Sequence, residues 1–121
     1  MYTYAARCVR VVDGDTIDAV LDLGFHLTAT LRLRFYGIDT PELTSKDPLA
    51  RIQAVEARTH VAACLQSPPE GFPLRVETKR DPDAFGRWLA NVWYTPAGGA
   101  PTLLNDELIA RGLAKPYRRS A

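Results

Sequence analysis

Residues 17–36, IDAVLDLGFHLTATLRLRFY, alternate between apolar and other side chains in two runs that meet at Gly24. In the second run every second residue from Phe25 to Phe35 is apolar, through six cycles without a slip. A period of two is typical of β-strands with one buried face, so the two runs are predicted to pair as an antiparallel hairpin. Six cycles is long for one strand, which favours a bend or bulge within it.

Three further strands and two helices are predicted around this hairpin. Strands are indicated at Arg7 to Val12, Leu74 to Thr78 and Trp88 to Tyr94, each bounded by turn-forming residues. The last helix begins at Asn105 and stops at Gly112, and residues 113–121 are read as a short basic tail.

The middle helix is predicted from its start signal and its apolar period. Asp47 suits the N-cap, Pro48 is preset for the first helical position, and Pro68 and Pro69 end the segment. Apolar or small residues recur at three- and four-residue steps, and this stripe is expected to lie on the sheet. Its members are Leu49, Ile52, Val55, Thr59, Ala62 and Leu65.

This order of elements predicts an α+β, mainly β, fold: a five-stranded Greek-key barrel of the OB type with two flanking helices. The same order also permits an α+β sandwich. With 121 residues and a mass of 13.4 kDa, the chain is expected to form a single domain over residues 1–121.

Composition narrows the class of protein. Hydrophobic residues make up 46% and charged residues 24%, the balance of a folded globular chain without a membrane-spanning run. The N-terminus lacks the pattern of a secretory signal, so a cytoplasmic address, or a host-cell one for a phage or mobile-element product, is expected. The net charge of +1 gives no strong attraction to nucleic acid.

The two cysteines, Cys8 and Cys64, form no CxxC motif, and no histidine is read at metal-ligand spacing from them. This pattern favours two reduced thiols in or near the core.

Two acidic turns are predicted to meet at one edge of the sheet. Asp13-Gly14-Asp15-Thr16 follows the first strand and Asp39-Thr40-Pro41-Glu42 follows the third, and these strand ends share an edge in a meander. Converging carboxylates favour a hard cation, Ca²⁺ or Mg²⁺. Arg34 and Arg87 add guanidinium groups that suit a phosphodiester, and Glu42 is placed to act on water. Taken singly, each motif is typical of an ordinary turn or a surface charge. Only the combination of acidic turns and arginines favours a catalytic site.

Four segments in order and spacing resemble the signature blocks of the staphylococcal-nuclease-like (thermonuclease) family. They are VVDGDTID (11–18), LRFYGIDTPE (33–42), DAFGRWLANVWY (83–94) and LNDELIARGLAKPY (104–117). The resemblance implies an OB-fold barrel and a Ca²⁺-dependent nuclease acting on DNA and RNA.

The resemblance also implies roles for individual residues. Asp15, Asp39 and the carbonyl of Thr40 match the metal ligands, Glu42 the general base, and Arg34 and Arg87 the phosphate-binding arginines. Asp13 is expected to act on the metal through a ligand, without a direct bond to the ion. Substrate contacts are expected at Phe85 and Tyr117. The chain departs from the family at Ala84 and Phe85, where a lysine and a tyrosine are common, and Tyr117 is one residue off the usual aromatic position.

Two other functions stay open on the sequence alone. One is a non-catalytic nucleic-acid- or protein-binding module of the same fold, against which the whole set of site residues argues. The other is single-strand binding by stacking alone on aromatic strand residues, which are more often core: Tyr36, Trp88, Trp93 and Tyr94. The expected partners are DNA or RNA and no membrane, with a monomer or small homo-oligomer as the assembly.

Overall fold

Three antiparallel strands form the meander that the alternation predicts. The computed structural model describes residues 2–81 and 87–117, and its first three strands are β1 (Tyr2–Asp13), β2 (Thr16–Gly24) and β3 (Leu27–Phe35). The hairpin turns at Gly24 and at two residues with positive φ, Phe25 and His26. Phe25 is 95% exposed, so the buried face of β3 begins later than the alternation suggests.

The first strand is longer than predicted. It begins at Tyr2, not at Arg7, because residues 2–6 pair with β5 (Leu74–Arg80). That partner lies some seventy positions along the chain, and no local pattern in residues 2–6 announces it.

The barrel closes between β3 and β6 (Trp88–Tyr94). β6 is antiparallel to β5 on one side and parallel to β3 on the other, where Leu33 pairs with Trp88 and Phe35 with Ala90. The predicted five-stranded barrel with two helices is therefore confirmed, and the sandwich alternative is wrong. Fully buried side chains from all five strands fill the interior, among them Ile17, Leu21, Leu33, Phe35, Val76 and Val92.

Three further strands have two residues each, β4 (Ile38–Asp39), β7 (Thr102–Leu103) and β8 (Lys115–Pro116), and β4 and β8 form a small sheet of their own. β7 pairs with β6, and β8 pairs with β4. The N–H of Tyr117 then donates to the carbonyl of Gly37 at 2.8 Å. The prediction of a basic tail from residue 113 is thus wrong as far as Tyr117, because this segment is paired beside the strand that contains Asp39.

The first helix, α1 (Pro48–Cys64), starts as predicted but buries another face. Asp47 caps it by accepting from the N–H of Leu49 at 3.1 Å. Leu49, Ile52 and Val55 are 61%, 58% and 54% exposed, and Thr59 and Ala62 are exposed too, so of the predicted stripe only Leu65 is buried. The face against the barrel consists of Ala54, Ala57 and Val61. Small side chains let the helix approach the barrel closely, which larger ones would prevent.

The second helix, α2 (Leu104–Ala110), begins one residue before the predicted start, and Gly112 ends it with a φ of 72° as predicted. The N–H groups of Leu113 and Ala114 both donate to the carbonyl of Leu108. In the part of the chain that the structure describes, neither helix has the length and apolar character that a membrane span requires.

Candidate active site

The two acidic turns meet at one edge of the barrel. The carbonyl of Asp15 accepts from the N–H of Phe35 at 2.8 Å, and its side-chain Oδ2 accepts from the N–H of Thr40 at 3.2 Å. Gly14 makes this approach possible, since a Cβ there would lie 2.8 Å from the Cβ of Ala57 and 3.0 Å from Oγ1 of Thr40. Helix α1 and the two turns are therefore packed together around a glycine.

Arg34 lies at the centre of the acidic residues. Its guanidinium donates to Oδ1 of Asp39 at 3.1 Å and to the carbonyl of Ile38 at 3.4 Å, and it lies 3.6 Å from Oδ2 of Asp15. The side chain of Arg34 is 19% exposed, whereas that of Asp39 is 54% exposed. The ring of Tyr117 lies 5.7 Å from the guanidinium carbon. One cation thus joins the carboxylates of both turns.

Asp15 and Asp13 have opposite pKa shifts. Burial raises the pKa of Asp15, but a hydrogen bond from Asp13, the charge of Arg34 and the N–H of Thr40 outweigh burial and leave it below its ordinary value. Burial and the neighbouring Asp15 carboxylate raise the pKa of Asp13 from 3.8 to about 6. The pair therefore holds a proton on Asp13 in weakly acidic solution, while Asp15 stays ionised.

The donor set fits a hard divalent cation. Oδ1 of Asp13 is buried and has no hydrogen-bond partner among the described residues, an arrangement that a cation or a water molecule would satisfy. Asp15, Asp39 and the Thr40 backbone supply oxygen donors only, the ligands that Ca²⁺ and Mg²⁺ prefer. The carboxylate of Asp39 accepts a hydrogen bond from Arg34, so a metal ion would compete with that guanidinium for the carboxylate.

Glu42 follows the Asp39 turn and its side chain is exposed. Its carbonyl accepts from the N–H of Ser45 at 3.1 Å, which fixes the backbone while the carboxylate faces solvent. The start of the same turn, residues 39–41, lines a cleft of roughly 500 Å³ between α1 and residues 111–115.

Arg87 is bound to Asp81, an aspartate that no motif of the sequence marks as a site residue. Its Nε donates to Oδ2 of Asp81 at 2.6 Å, and the side chain of Asp81 is fully buried whereas that of Arg87 is 40% exposed. Arg87 directly precedes β6, whose first residue, Trp88, pairs with Leu33 of β3. Arg87 therefore lies at the end of β6 that is next to β3, the strand that contains Arg34. Among the described residues, Arg87 forms its ion pair with Asp81 and not with the acidic turns.

Of the two expected substrate contacts, Phe85 and Tyr117, the structure describes only Tyr117. Phe85, like Ala84, lies outside the described residues. Tyr117 lies beside Arg34, as described above. Another aromatic residue, Tyr36, is 42% exposed, has the ammonium of Lys79 5.1 Å from its ring, and lines a shallow pocket with Leu89.

Two further polar residues were missed. Asn105 is 2% exposed; it accepts from the N–H of Val92 and donates to the carbonyls of Tyr36 and Ala90. The sequence signal for Asn105 was an asparagine at the start of a predicted helix, and Asn at that place is also an ordinary N-cap choice.

The second missed residue is His60, whose Nε2 lies 3.4 Å from Sγ of Cys64. The prediction that no histidine stands at ligand spacing from a cysteine is therefore wrong. The two residues are four positions apart on one helix, so the spacing was visible. Both thiols are partly buried against the core, as expected.

Comparison with known proteins identifies the relatives of this chain. The model of the family described as staphylococcal nuclease homologue matches residues 32–121, a range that includes Arg34, Asp39, Glu42 and Arg87. The chain is 30% identical over 128 residues to Endonuclease Htp3 of Saprolegnia parasitica (strain CBS 223.65), covering 98% of this chain and 58% of that protein.

Two other relatives are similarly distant. Thermonuclease of Staphylococcus hyicus is 30% identical over 110 residues, covering 90% of this chain and 57% of that protein. Protein ParB of Escherichia coli is 29% identical over 117 residues, covering 91% of this chain and 55% of that protein. The chain thus spans a little over half the length of the curated relatives that it matches.

Proposed function

Because the chain belongs to the staphylococcal nuclease family, we propose that it is a Ca²⁺-dependent nuclease that hydrolyses phosphodiester bonds of DNA, RNA or both. The observation that supports this most directly is the position of Arg34 between Asp15 and Asp39, beside the buried Thr40. A guanidinium next to oxygen ligands for a hard cation can bind the phosphoryl oxygens of a phosphodiester and stabilise the charge of the transition state.

The two arginines bind the phosphoryl group in this proposal. Arg34 and Arg87 each present a planar fork of donors that matches two non-bridging oxygens. Both are ion-paired with carboxylates, Arg34 with Asp39 and Arg87 with the buried Asp81. Asp81 orients Arg87 through Nε, and in this proposal the terminal nitrogens of the guanidinium bind the phosphate.

Asp15, Asp39 and the Thr40 carbonyl would hold the Ca²⁺ ion, with Asp13 beside Asp15. A bound divalent cation supplies positive charge next to the developing charge of the phosphorane-like transition state. Asp15 is suited to the role because it stays ionised, and the N–H of Thr40 fixes the direction of its carboxylate.

Glu42 is the proposed general base. Its carboxylate is exposed and makes no hydrogen bond or ion pair with the side chains that the structure describes, so it is accessible to a water molecule. Proton removal by a positioned carboxylate makes that water a better nucleophile toward phosphorus. Tyr117 and Phe85 remain the proposed contacts to the nucleotide, through stacking on a base.

The test is a cleavage assay on DNA and RNA with added Ca²⁺ and with a chelator. We expect cleavage that requires Ca²⁺ and that falls about 10²- to 10⁴-fold in Glu42→Gln. Glu70→Gln, an exposed glutamate of the loop after α1, is the matched control and should keep parental activity. Hydrolysis that persists in chelator contradicts the metal assignment. Binding of nucleic acid without any cleavage would favour the non-catalytic module instead.

A further inference from the structure

A second group of polar side chains lies between the two helices and takes no part in the chemistry proposed above. His60 and Cys64 lie in the last two turns of α1, and Glu107 lies in α2. Nε2 of His60, Sγ of Cys64 and a carboxylate oxygen of Glu107 lie within 4.8 Å of one another. The group joins one imidazole, one thiol and one carboxylate, the three ligand types that bind zinc in proteins.

The separations are close to those of a tetrahedral zinc site. Zinc bonds of about 2.0–2.1 Å to nitrogen and oxygen and about 2.3 Å to sulfur imply ligand–ligand separations of about 3.3–3.6 Å. The distances from Sγ of Cys64 are 3.4 Å to Nε2 of His60 and 3.7 Å to Oε2 of Glu107. The third separation, His60 Nε2 to Glu107 Oε2, is 2.6 Å, a hydrogen bond that must open by roughly 0.7 Å to admit an ion.

Local structure holds the three donors in place. Residues four apart on a helix share one face, so α1 presents His60 and Cys64 together. Glu107 is oriented by the hydroxyl of Tyr94, which donates to its other oxygen, Oε1, at 2.6 Å. A ligating carboxylate is commonly fixed in this way by a hydrogen bond to its second oxygen. The side chains of His60 and Glu107 are 21% and 17% exposed, so the site is sheltered yet open to an ion from solvent.

We propose that His60, Cys64 and Glu107 form a binding site for Zn²⁺ or a similar transition-metal ion, with a water molecule as fourth ligand. On binding, the Cys64 thiol releases its proton to solvent, and His60 binds as the neutral imidazole that carries its proton on Nδ1. Nε2 of His60 and the Glu107 carboxylate then no longer share a proton, and their hydrogen bond is replaced by two bonds to the metal. The imidazole and the thiolate select against Ca²⁺, which prefers oxygen. An ion held there links α1 to α2 and stabilises their packing on the barrel.

The test is a titration of the purified, metal-stripped protein with Co²⁺ in excess Ca²⁺. We expect one equivalent to give the visible bands of tetrahedral Co²⁺ together with a thiolate-to-cobalt charge-transfer band, and Zn²⁺ to displace both. Cys64→Ser should abolish the charge-transfer band, while Cys8→Ser, the matched control at the other free thiol, should retain it. His60→Gln should weaken binding at least about 10-fold, and His26→Gln should not.

Zinc should also raise Tm of the parent protein by on the order of 10 °C at a concentration 100-fold above Kd, and should not do so in Cys64→Ser. The absence of a charge-transfer band in the parent protein overturns the proposal and leaves the cluster as a hydrogen-bonded contact between the helices. Retention of the band in Cys64→Ser, or unchanged affinity in His60→Gln, overturns it as well. Neither readout depends on nuclease activity.

Discussion

At the scale of single residues, the site is organised by one partly buried cation, the guanidinium of Arg34. Arg34 contacts Asp39, the carbonyl of Ile38 and the edge of Asp15, so it fixes the two acidic turns relative to each other. The meeting of the two acidic turns was predictable from the sequence, because the ends of the first and third strands of a meander lie at the same edge of the sheet. The sequence did not reveal Asp81 as the partner of Arg87, since two aspartates, Asp81 and Asp83, precede that arginine at similar spacing.

Arg34→Lys should lower turnover on nucleic acid about 10²- to 10³-fold, the loss typical of one transition-state donor. An ammonium is a point charge and cannot replace a planar fork that spans two oxygens. Arg32→Lys is the matched control, because Arg32 lies two residues earlier on β3 and forms an exposed ion pair with Asp18. Steady-state kinetics of both variants would check this, and equal losses would contradict the role of Arg34.

Asp13 makes stability depend on pH. Its pKa is raised from 3.8 to about 6, so between these values the folded protein binds a proton that the unfolded chain has lost. This contribution to stability is present below about pH 4 and is lost as the pH rises through about 6. The pKa of Asp15 lies below its ordinary value, so its opposite contribution changes only at lower pH.

Without divalent cations, Asp13→Asn should therefore raise the free energy of unfolding at pH 7.5. We expect about 1–2 kcal/mol, discounted from the full shift because Asp13 is only partly buried. The variant should also lose the decline in stability between about pH 4 and pH 6. Urea unfolding of both proteins in chelator across this range measures the effect, and parallel curves would contradict it. Asp22→Asn, on β2, is a suitable control for a carboxylate outside the site.

At the scale of elements, α1 shows where pattern reasoning fails. The helix was predicted because its cap and its length are local properties. Its buried face was not, because the apolar stripe favoured Leu49, Ile52 and Val55 over the smaller Ala54 and Ala57. The barrel surface around Gly14 selects small residues, and that surface exists only after folding.

The two faces of α1 should differ in their sensitivity to truncation. Ile52→Ala, at a side chain 58% exposed, should change the free energy of unfolding by less than about 0.5 kcal/mol. Val61→Ala, at a fully buried side chain, should cost about 2 kcal/mol because it leaves a cavity against the barrel. Denaturant unfolding compares them directly. A larger loss at Ile52 would restore the predicted stripe as the packed face.

At the scale of the whole molecule, the sequence predicted the barrel because alternation, turns and capping residues all agree on it. It predicted less well the pairings that join distant segments. These are the start of β1 with β5, β8 with β4, and Asn105 with β6 and the residue after β3. Such contacts are set by where the closed barrel brings the chain, so no window of sequence contains both partners.

Asn105 tests how far one buried residue holds these segments together. It bonds the N–H of Val92 and the carbonyls of Ala90 and Tyr36, which ties α2 to β6 and to the residue after β3. Asn105→Ala removes three hydrogen bonds and leaves buried backbone groups without partners, so it should cost about 2–3 kcal/mol of the free energy of unfolding. Asn91→Ala, a partly exposed asparagine that bonds Glu77, should cost less than about 1 kcal/mol. Equilibrium unfolding of the two variants gives the comparison, and equal losses would mean that α2 is held to the barrel by its apolar contacts alone.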